Sequence, residues 1–409
     1  MSAENLLFFL EPYTFIFTEK NKRVIYNTLN SAYIDCPSNV FIDELIDSLL
    51  LPENGYCIVL DRKCLNDPVF CDFVAKIKDS FSGDFVEIEK SFTKPYIFSP
   101  VLRYLRIDKQ KDKDVSGREI LKNLNEVSFC ITGSCSQKCT NCYGLYKQIQ
   151  HCTKNNFSDI KIDSLISLLD RLEQCDIGLV NFLGGNLFMY DDFPKLISYL
   201  KNYKIKKRFV LHYKNICSDI HDILSLDETK VLILIDSSFS NDSNLLKGVI
   251  EQYNNDNVEW CFIVESNNDV SDVEAIVEKH NINFNIKAFY NKKNLDFFEE
   301  NIYLDFNDII EDPISKETIF IRQTMNELFY GKLFFLQNGD VYSNLANAAI
   351  GNVTSETINE IVYKEINSSA SWFNIRNKGV CDDCCNRWLC PSPSNYEIAI
   401  GRPNLCHVK

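Results

Sequence analysis

The feature that most constrains this chain is a regular alternation of strand-like and helix-like segments between Asn125 and Asn291. Apolar and β-branched runs predict six strands, at Val127–Thr132, Leu179–Leu183, Arg208–His212, Val231–Ile235, Val258–Val264 and Phe284–Phe289. Between these runs, apolar residues recur at helical spacing. Six strands that alternate with helices predict an α/β fold with a parallel sheet and right-handed crossovers. Ligands bind at the carboxyl edge of such sheets, so we expect functional residues where the strands end.

Composition narrows the functional classes. The chain has 409 residues, 45% of them hydrophobic and 24% charged, which is typical of a soluble globular protein with more than one domain. The formal net charge of −14 argues against nucleic acid as a partner, because phosphate binding needs clustered Lys and Arg. No uncharged run is long enough to cross a bilayer, and the first residues lack a basic leader. The sequence therefore predicts a cytoplasmic location and no membrane partner.

Three regions follow from the pattern. Residues 1–105 combine a predicted hairpin, Tyr13–Phe17 with Val24–Thr28, with two helix-like segments, which favours a winged-helix-like domain. The charged stretch Asp108–Arg118 is the predicted linker. Residues 120–300 carry the six strand–helix units, and residues 301–409 form the third region. There, Asn338-Gly339 between two strand-like runs predicts a hairpin with a type I′ turn.

The 17 cysteines are many for a reducing compartment, where closely spaced cysteines indicate metal binding before disulfides. Cys135, Cys139 and Cys142 have the spacing CxxxCxxC and follow the first predicted strand directly. Three thiolates from one loop can hold three irons of a [4Fe-4S] cluster and leave the fourth iron open. A zinc site or three unrelated cysteines are the alternatives.

A second group comprises Cys381, Cys384, Cys390 and Cys406 near the end of the chain. This spacing also fits a structural zinc ribbon. Cys385 lies beside Cys384 but outside the pattern, and we interpret it as a residue that binds no metal. Seven singly placed cysteines are interpreted as small buried hydrophobic residues: Cys36, Cys57, Cys64, Cys71, Cys175, Cys217 and Cys261.

The first motif and the six strand–helix units resemble the radical SAM enzymes with their partial (β/α)6 barrel. The second group, with the tail CPSPSNYEIAIGRPNLCHVK, resembles the SPASM extension of peptide maturases. As a whole, the chain resembles the "pseudo-radical-SAM" SPASM-like branch found in Gly-Gly leader peptide systems. The resemblance implies three cofactors: a [4Fe-4S] cluster on Cys135, Cys139 and Cys142, S-adenosylmethionine (SAM) bound to that cluster, and one auxiliary [4Fe-4S] cluster on Cys381, Cys384, Cys390 and Cys406.

The resemblance also implies a function. A 5′-deoxyadenosyl radical would abstract hydrogen from a ribosomally made precursor peptide and lead to a thioether or carbon–carbon crosslink. The leader of that peptide would bind the N-terminal domain by strand addition at the predicted hairpin, beside the helix that carries Phe41, Leu45 and Leu49. The alternative is a non-catalytic peptide-binding subunit that serves an active radical SAM enzyme as its partner. The sequence identifies no catalytic acid, base or radical-relay residue.

Two departures from the family pattern concern the first site. The family usually has an aromatic residue before the third cysteine, whereas this chain has Asn141, with Tyr143 after Cys142. The second strand of the family ends in Gly-Gly-Glu, which holds the SAM ammonium, and the corresponding residues here are Gly184, Gly185 and Asn186. A neutral amide oxygen accepts a weaker hydrogen bond than a carboxylate, so we expect SAM binding to be weaker or absent.

The third departure concerns the auxiliary clusters. Ser394, Ser343 and Asn344 stand where ligands of a first auxiliary cluster would be expected from the resemblance. The resemblance therefore implies that only the second auxiliary cluster is kept.

Overall fold

The structure is a computed structural model that describes residues 5–19, 22–88, 93–95, 97–100, 120–137, 139, 142–155, 157–368 and 370–408. The predicted linker Asp108–Arg118 lies outside these residues, as do Asn141 and the side chain of Tyr143.

The N-terminal region consists of two small antiparallel sheets and two helices. Its elements are β1 (Asn5–Leu10), β2 (Thr14–Glu19), β3 (Lys22–Asn27), β4 (Tyr33–Asp35), α1 (Val40–Leu50), β5 (Cys57–Asp61), α2 (Pro68–Asp79) and β6 (Gly83–Ile88). The sheet orders are β5-β1-β6 and β2-β3-β4. Asn39 and Asp67 cap α1 and α2 with their side chains. The predicted hairpin and both helices are confirmed, whereas the sequence pattern did not predict β1, β4 or β6.

A nine-stranded sheet forms the centre of the molecule. Its parallel strands are β7 (Glu126–Thr132), β8 (Leu179–Gly184), β9 (Lys207–His212), β10 (Thr229–Ile235), β11 (Val258–Val264) and β12 (Phe284–Ala288). They lie side by side in chain order, each parallel to its neighbours, as β12-β11-β10-β9-β8-β7. All six predicted strands are confirmed to within two residues. This arrangement brings the carboxyl ends of six strands to one edge.

Helices lie on both faces of this sheet. On one face, α3 (Cys142–Gln148) packs with inward-facing strand residues through Leu145 and Tyr146. The other face is covered by α4 (Ile162–Glu173), α5 (Phe193–Leu200), α6 (Ile220–Leu224), α7 (Ser243–Tyr253) and α8 (Asn267–His280). Alternate strand residues such as Val127, Phe129 and Phe182 pack with the apolar faces of α4 and α5 in the main core. The residues between them, including Cys130, Leu183 and Val210, face the opposite side in a smaller apolar cluster. The sheet therefore has an outer face that packs in the main core and an inner face that carries the smaller apolar cluster.

The elements from Leu295 onward extend the sheet and close one side of the molecule. They are α9 (Leu295–Asn301), α10 (Phe306–Ile310), α11 (Lys316–Thr324), β13 (Lys332–Phe335), β14 (Asp340–Tyr342), β15 (Gly351–Asn352), α12 (Ile358–Ser368) and α13 (Asn395–Ile400). β13 pairs in parallel with β7, and β14 and β15 continue the sheet antiparallel. None of the described helices is long and apolar enough to cross a membrane.

The predicted hairpin β13–β14 is confirmed, but its predicted type I′ turn is wrong. Leu336 and Gly339 close the connection through a backbone hydrogen bond of 3.0 Å. Gly339 has φ of +86°, whereas Asn338 lacks the positive φ that a type I′ turn also requires at its first central residue. The strands thus end earlier than expected, and a four-residue loop joins them.

Candidate cluster sites and peptide groove

The first cysteine motif follows β7 at the carboxyl edge of the parallel strands. Cys135 and Cys139 lie in the loop after β7, and Cys142 is the first residue of α3. All three are partly exposed. The Asn215 side chain donates to Cys135 Sγ at 3.9 Å, and Cys142 Sγ donates to the Cys139 carbonyl at 3.3 Å. The loop therefore presents three accessible thiols where ligands of parallel sheets bind.

The glycine pair at the end of β8 lets this loop approach closely. A Cβ on Gly184 would lie 2.4 Å from the Thr132 carbonyl oxygen. A Cβ on Gly185 would lie 2.2 Å from the Ser134 carbonyl oxygen and 2.9 Å from Cys135 Cβ. Any other residue at either position would push the end of β8 away from the cysteine loop. Because the two glycines lack a Cβ atom, the backbone at the end of β8 can contact the start of the motif.

Asn186 follows the glycines, and its side chain is already engaged. Its amide oxygen accepts from the Phe188 backbone N–H at 3.2 Å and caps a short 3₁₀ turn. Its own backbone N–H donates to Ser134 O at 2.7 Å. A ligand beside Gly185 would have to compete for this amide oxygen.

Two polar side chains from neighbouring strands lie next to Cys139. His212 ends β9, and Asp236 follows β10. His212 Nε2 lies 3.2 Å from Asp236 Oδ2, and Ser238 Oγ donates to Asp236 Oδ1 at 2.6 Å. Burial by itself would raise the pKa of Asp236, but the hydrogen bonds from His212 and Ser238 hold it well below its usual range. The sequence analysis missed both residues, although each sits at a strand end, the same signal that singled out Cys135.

Distances argue against a single metal ion held by the cysteine motif alone. A zinc ion binds thiolates at about 2.3 Å, so its ligands lie within about 4.6 Å of one another. In the described part of the chain, the one group of ligand atoms gathered within 4.8 Å is Cys139, His212 and Asp236. No three of the described cysteines come that close together. A multi-iron cluster does not need such close thiols, because its sulfur ligands bind different irons.

A fourth thiol, Cys152, lies close to the motif, and the sequence analysis did not single it out. Cys152 pairs with Gly184 in an isolated parallel bridge, on the strand end that also contacts Cys135. Burial raises the pKa of Cys152 to about 11, and the thiols of Cys142 and Cys135 contribute to this rise. Burial likewise raises the pKa of Cys139 to about 12.

The second cysteine group gathers in one narrow cavity. Cys381, Cys384, Cys390 and Cys406 all line it. The chain end is held there because Leu304 N donates to Leu405 O at 3.1 Å and His407 N donates to Leu304 O at 2.9 Å. Cys385 is not among the lining residues, and its thiol points instead to the Lys22 carbonyl, at 3.3 Å.

A buried ion pair adjoins the second site. Arg376 donates to Glu397 Oε1 at 2.8 Å, and both side chains are 8% exposed. The same guanidinium reaches Cys381 Sγ at 3.8 Å. A cation placed there can stabilise thiolates, so the donor set fits a cluster held by four cysteines.

Hydrogen bonds connect the side chains at the positions where the family pattern has ligands of a first auxiliary cluster. Asn344 Nδ2 donates to Asn395 Oδ1 at 2.7 Å, next to Ser394, whose side chain caps α13. Ser343 Oγ donates to Ser371 Oγ at 2.9 Å. The two places where cysteines were expected from the family pattern are therefore neighbours, and a buried polar network occupies them.

The N-terminal region has a groove of about 510 Å³ between α1 and β5. Phe41 from α1 and Val59 from β5 line it and are 46% and 47% exposed. In the described part of the chain, β5 is an edge strand that pairs with β1. The predicted hairpin does not line this groove. Instead, Phe15, Phe17 and other residues of β2 and β3 pack against α10, α11 and Leu389.

Crystal structures of Streptococcus suis SuiB align with nearly the whole chain. The structure bound to precursor peptide SuiA has 12% identity and a TM-score of 0.49, and the alignment covers 99% of this chain and 98% of that chain. The structure of SuiB without a named ligand has 13% identity and a TM-score of 0.47, over 97% and 98% of the two chains. The structure bound to S-adenosylmethionine has 14% identity and a TM-score of 0.43, over 98% of each.

No family model and no curated protein matches the chain. Identities and TM-scores this low assign no activity, so function has to be argued from the residues of this chain.

Proposed function

We propose that this protein is a radical SAM/SPASM-like enzyme that modifies a ribosomally made precursor peptide by forming a thioether or carbon–carbon crosslink. The observation that carries the proposal is the three-cysteine loop at the carboxyl edge of six parallel strands, pressed against Gly184 and Gly185. We interpret these strands as the partial (β/α)6 barrel of that class, residues 1–105 as the peptide-binding domain and residues 301–409 as the SPASM-like extension.

The cofactors follow from the donor sets. Cys135, Cys139 and Cys142 would hold a [4Fe-4S] cluster with one iron left for SAM, and Cys381, Cys384, Cys390 and Cys406 would hold one auxiliary cluster. Together, a reduced cluster and SAM supply radical abstraction of a hydrogen atom.

The chain's own groups would bind and orient the SAM. Gly184 and Gly185 allow its methionine end to approach the backbone of β8, and the Asn186 oxygen is the acceptor nearest to them in sequence. Asp236 stays ionised beside Cys139 and can accept hydrogen bonds from hydroxyl or ammonium groups. His212 holds Asp236 in place from the neighbouring strand.

The peptide partner fits the groove between α1 and β5 better than the hairpin that the sequence suggested. An added strand needs a free sheet edge for backbone pairing and apolar pockets for alternate side chains. The edge strand β5 supplies the first, and the exposed Phe41 supplies the second. Leu45 also lines the groove but is only 1% exposed. Leu49, also expected to contact the peptide, is 1% exposed and does not line the groove.

A charge in the groove tests this placement. We expect Val59→Lys to weaken binding of the precursor peptide encoded nearby by about tenfold or more, because it replaces an apolar side chain of the groove with a charged one. Val86→Lys is the matched control: Val86 is 42% exposed on β6, the opposite edge strand of the same sheet. Fluorescence anisotropy with labelled leader peptide measures both. Equal loss in the two variants would contradict the groove.

A non-catalytic peptide-binding subunit is the second candidate, and two observations favour it. The Asn186 oxygen is used as a helix cap and carries no charge for the SAM ammonium. Cys152 brings a fourth thiol near the three of the motif, so that protein side chains alone could complete the cluster and leave no site for SAM.

Mass spectrometry separates the two candidates. The enzyme is expected to change the peptide mass by loss of two hydrogens when only SAM and a reductant are added. A peptide that binds but stays unmodified until a second radical SAM enzyme is supplied would identify the protein as the subunit.

A further inference from the structure

A cavity of about 280 Å³ lies on the inner face of the central sheet, and no cysteine lines it. Apolar side chains such as Phe329 and Phe334 form part of its lining. Its polar lining includes Glu126 and Ser128 of β7, Asn181 of β8, Lys287 of β12, Lys332 of β13, and His151 after α3. An apolar layer that contains Cys130, Leu183 and Val210 occupies the same face nearer the carboxyl edge.

The alternation of the strands explains why these polar groups meet. Val127 and Phe129 face the main core, so Ser128 between them faces inward. The same rule turns Asn181 inward, because Val180 and Phe182 face the main core. It also turns Arg208 inward, because Phe209 faces that core. Such inward positions are normally apolar, and buried polar groups there require partners.

The charges in the cavity do not balance within the described part of the chain. Glu126 accepts from Asn181 Nδ2 at 2.7 Å and pairs with Lys332 at 3.3 Å, so these two charges offset each other. Lys287 Nζ lies 3.0 Å from His151 Nε2, an acceptor that contributes no negative charge. Arg208 lies near the cavity but does not line it: its charge acts on Lys287 and His151, and its buried Nε has no acceptor among the described residues.

Electrostatics supports the same conclusion. Burial lowers the pKa of Lys287, and the neighbouring positive charges of Lys332 and Arg208 lower it further. A half-buried group of cations is costly unless an anion joins it.

We propose that this cavity binds a small oxyanion, through a carboxylate or phosphate group that accepts hydrogen bonds from Lys287 and draws on the positive charge of Arg208. Charge-assisted hydrogen bonds of this kind are the strong ones. The volume lies just below the range of about 300–1,000 Å³ typical of sites for drug-sized ligands, so the ligand is a small molecule. The proposal is independent of the function proposed above, since none of these residues belongs to either cysteine site.

Thermal unfolding of the full-length protein tests the proposal. Potassium phosphate and sodium succinate are titrated separately, with sodium chloride holding the ionic strength constant. We expect the unfolding midpoint to rise and saturate with one or both anions, because a ligand that binds only the folded state stabilises it. The anion that acts tells whether phosphate or carboxylate is preferred.

Matched variants locate the site. Lys287→Met is expected to weaken the anion affinity about tenfold, since a charge-assisted hydrogen bond is lost. It should fold, because it removes one cation from a group of cations. Arg208→Gln tests the same site if Lys287→Met fails to fold. Lys195→Met is the control, on a side chain that is 71% exposed on α5, and it should keep the wild-type response.

Two results would overturn the proposal. One is the lack of any anion-dependent stabilisation of the wild type beyond that of sodium chloride. The other is a wild-type response in both Lys287→Met and Arg208→Gln, which would place any bound anion elsewhere.

Discussion

The two cysteine sites of this protein are built in different ways. The first takes three partly exposed thiols from one loop at the open edge of a parallel sheet, beside polar strand ends that carry His212 and Asp236. The second encloses four cysteines in a narrow cavity, with Arg376 and Glu397 buried beside them. The first site is therefore open to a ligand, whereas the second holds separate chain segments in contact.

The second site also joins the N-terminal region to the rest of the chain. Tyr33 Oη donates to Asn386 Oδ1 at 2.7 Å, and Arg387 pairs with Glu19 at 2.6 Å. Cys385 packs with residues of β2 and β3. Damage to this site should therefore spread beyond it.

The largest expected effect comes from removing the second site. Alanine at all four positions, Cys381, Cys384, Cys390 and Cys406, should lower the free energy of unfolding by several kcal/mol. The reason is that the free energy of metal binding at a structural site stabilises the folded state. The change should also remove about half of the roughly eight irons that two cubane clusters hold. Iron analysis and thermal unfolding of anaerobically reconstituted protein measure both.

The matching change at the first site sharpens the comparison. Cys135, Cys139 and Cys142 changed together to Ala should remove the other half of the iron with a much smaller loss of stability. Cys217→Ser, at an exposed cysteine outside both sites, should change neither. Stoichiometric zinc with almost no iron in the wild type would contradict both cluster assignments.

The second-largest effect concerns the ion pair beside the second site. Arg376→Met should cost about 3–5 kcal/mol, because it leaves the buried Glu397 carboxylate without its partner. Arg402→Met is the control: its 3.3 Å pair with Glu299 is exposed, and such pairs contribute at most about 1 kcal/mol. Chemical denaturation gives both values. Similar losses would show that the buried Arg376–Glu397 pair contributes no more to stability than an exposed ion pair.

The sequence predicted much of this architecture because the signals are local. The six parallel strands appear as apolar runs, and α1 and α2 carry their caps and apolar spacing within one segment. The parallel pairing of β13 with β7 was not predicted, because it joins residues about two hundred positions apart and leaves no mark on either strand.

The same distinction applies to the candidate site. The spacing of Cys135, Cys139 and Cys142 lies within one loop and could be recognised. Cys152 and Asp236 approach that loop only when strands from different parts of the chain come together. The packing of the predicted hairpin could not be foreseen for the same reason, since the helices against which it is buried lie far away in sequence.

The smallest expected effect concerns Asn186. Asn186→Glu should tighten SAM binding by about 1 kcal/mol or more, because it supplies a charged acceptor for the ammonium group. Asn186→Asp is the companion variant, since it adds the charge and keeps a side chain suited to the helix cap. Isothermal titration of reconstituted protein measures the affinity. Unchanged affinity in both variants, with tight binding by the wild type, would show that the ammonium is held elsewhere.

The central claim is that the first site binds SAM at an open iron and uses it. The most direct measurement is chromatographic detection of 5′-deoxyadenosine after the reconstituted, reduced protein is incubated with SAM and the precursor peptide. The account predicts 5′-deoxyadenosine from the wild type and none from the variant that lacks Cys135, Cys139 and Cys142. A wild type that carries its full iron and binds the peptide, yet forms no 5′-deoxyadenosine, would contradict the claim and leave the peptide-binding subunit.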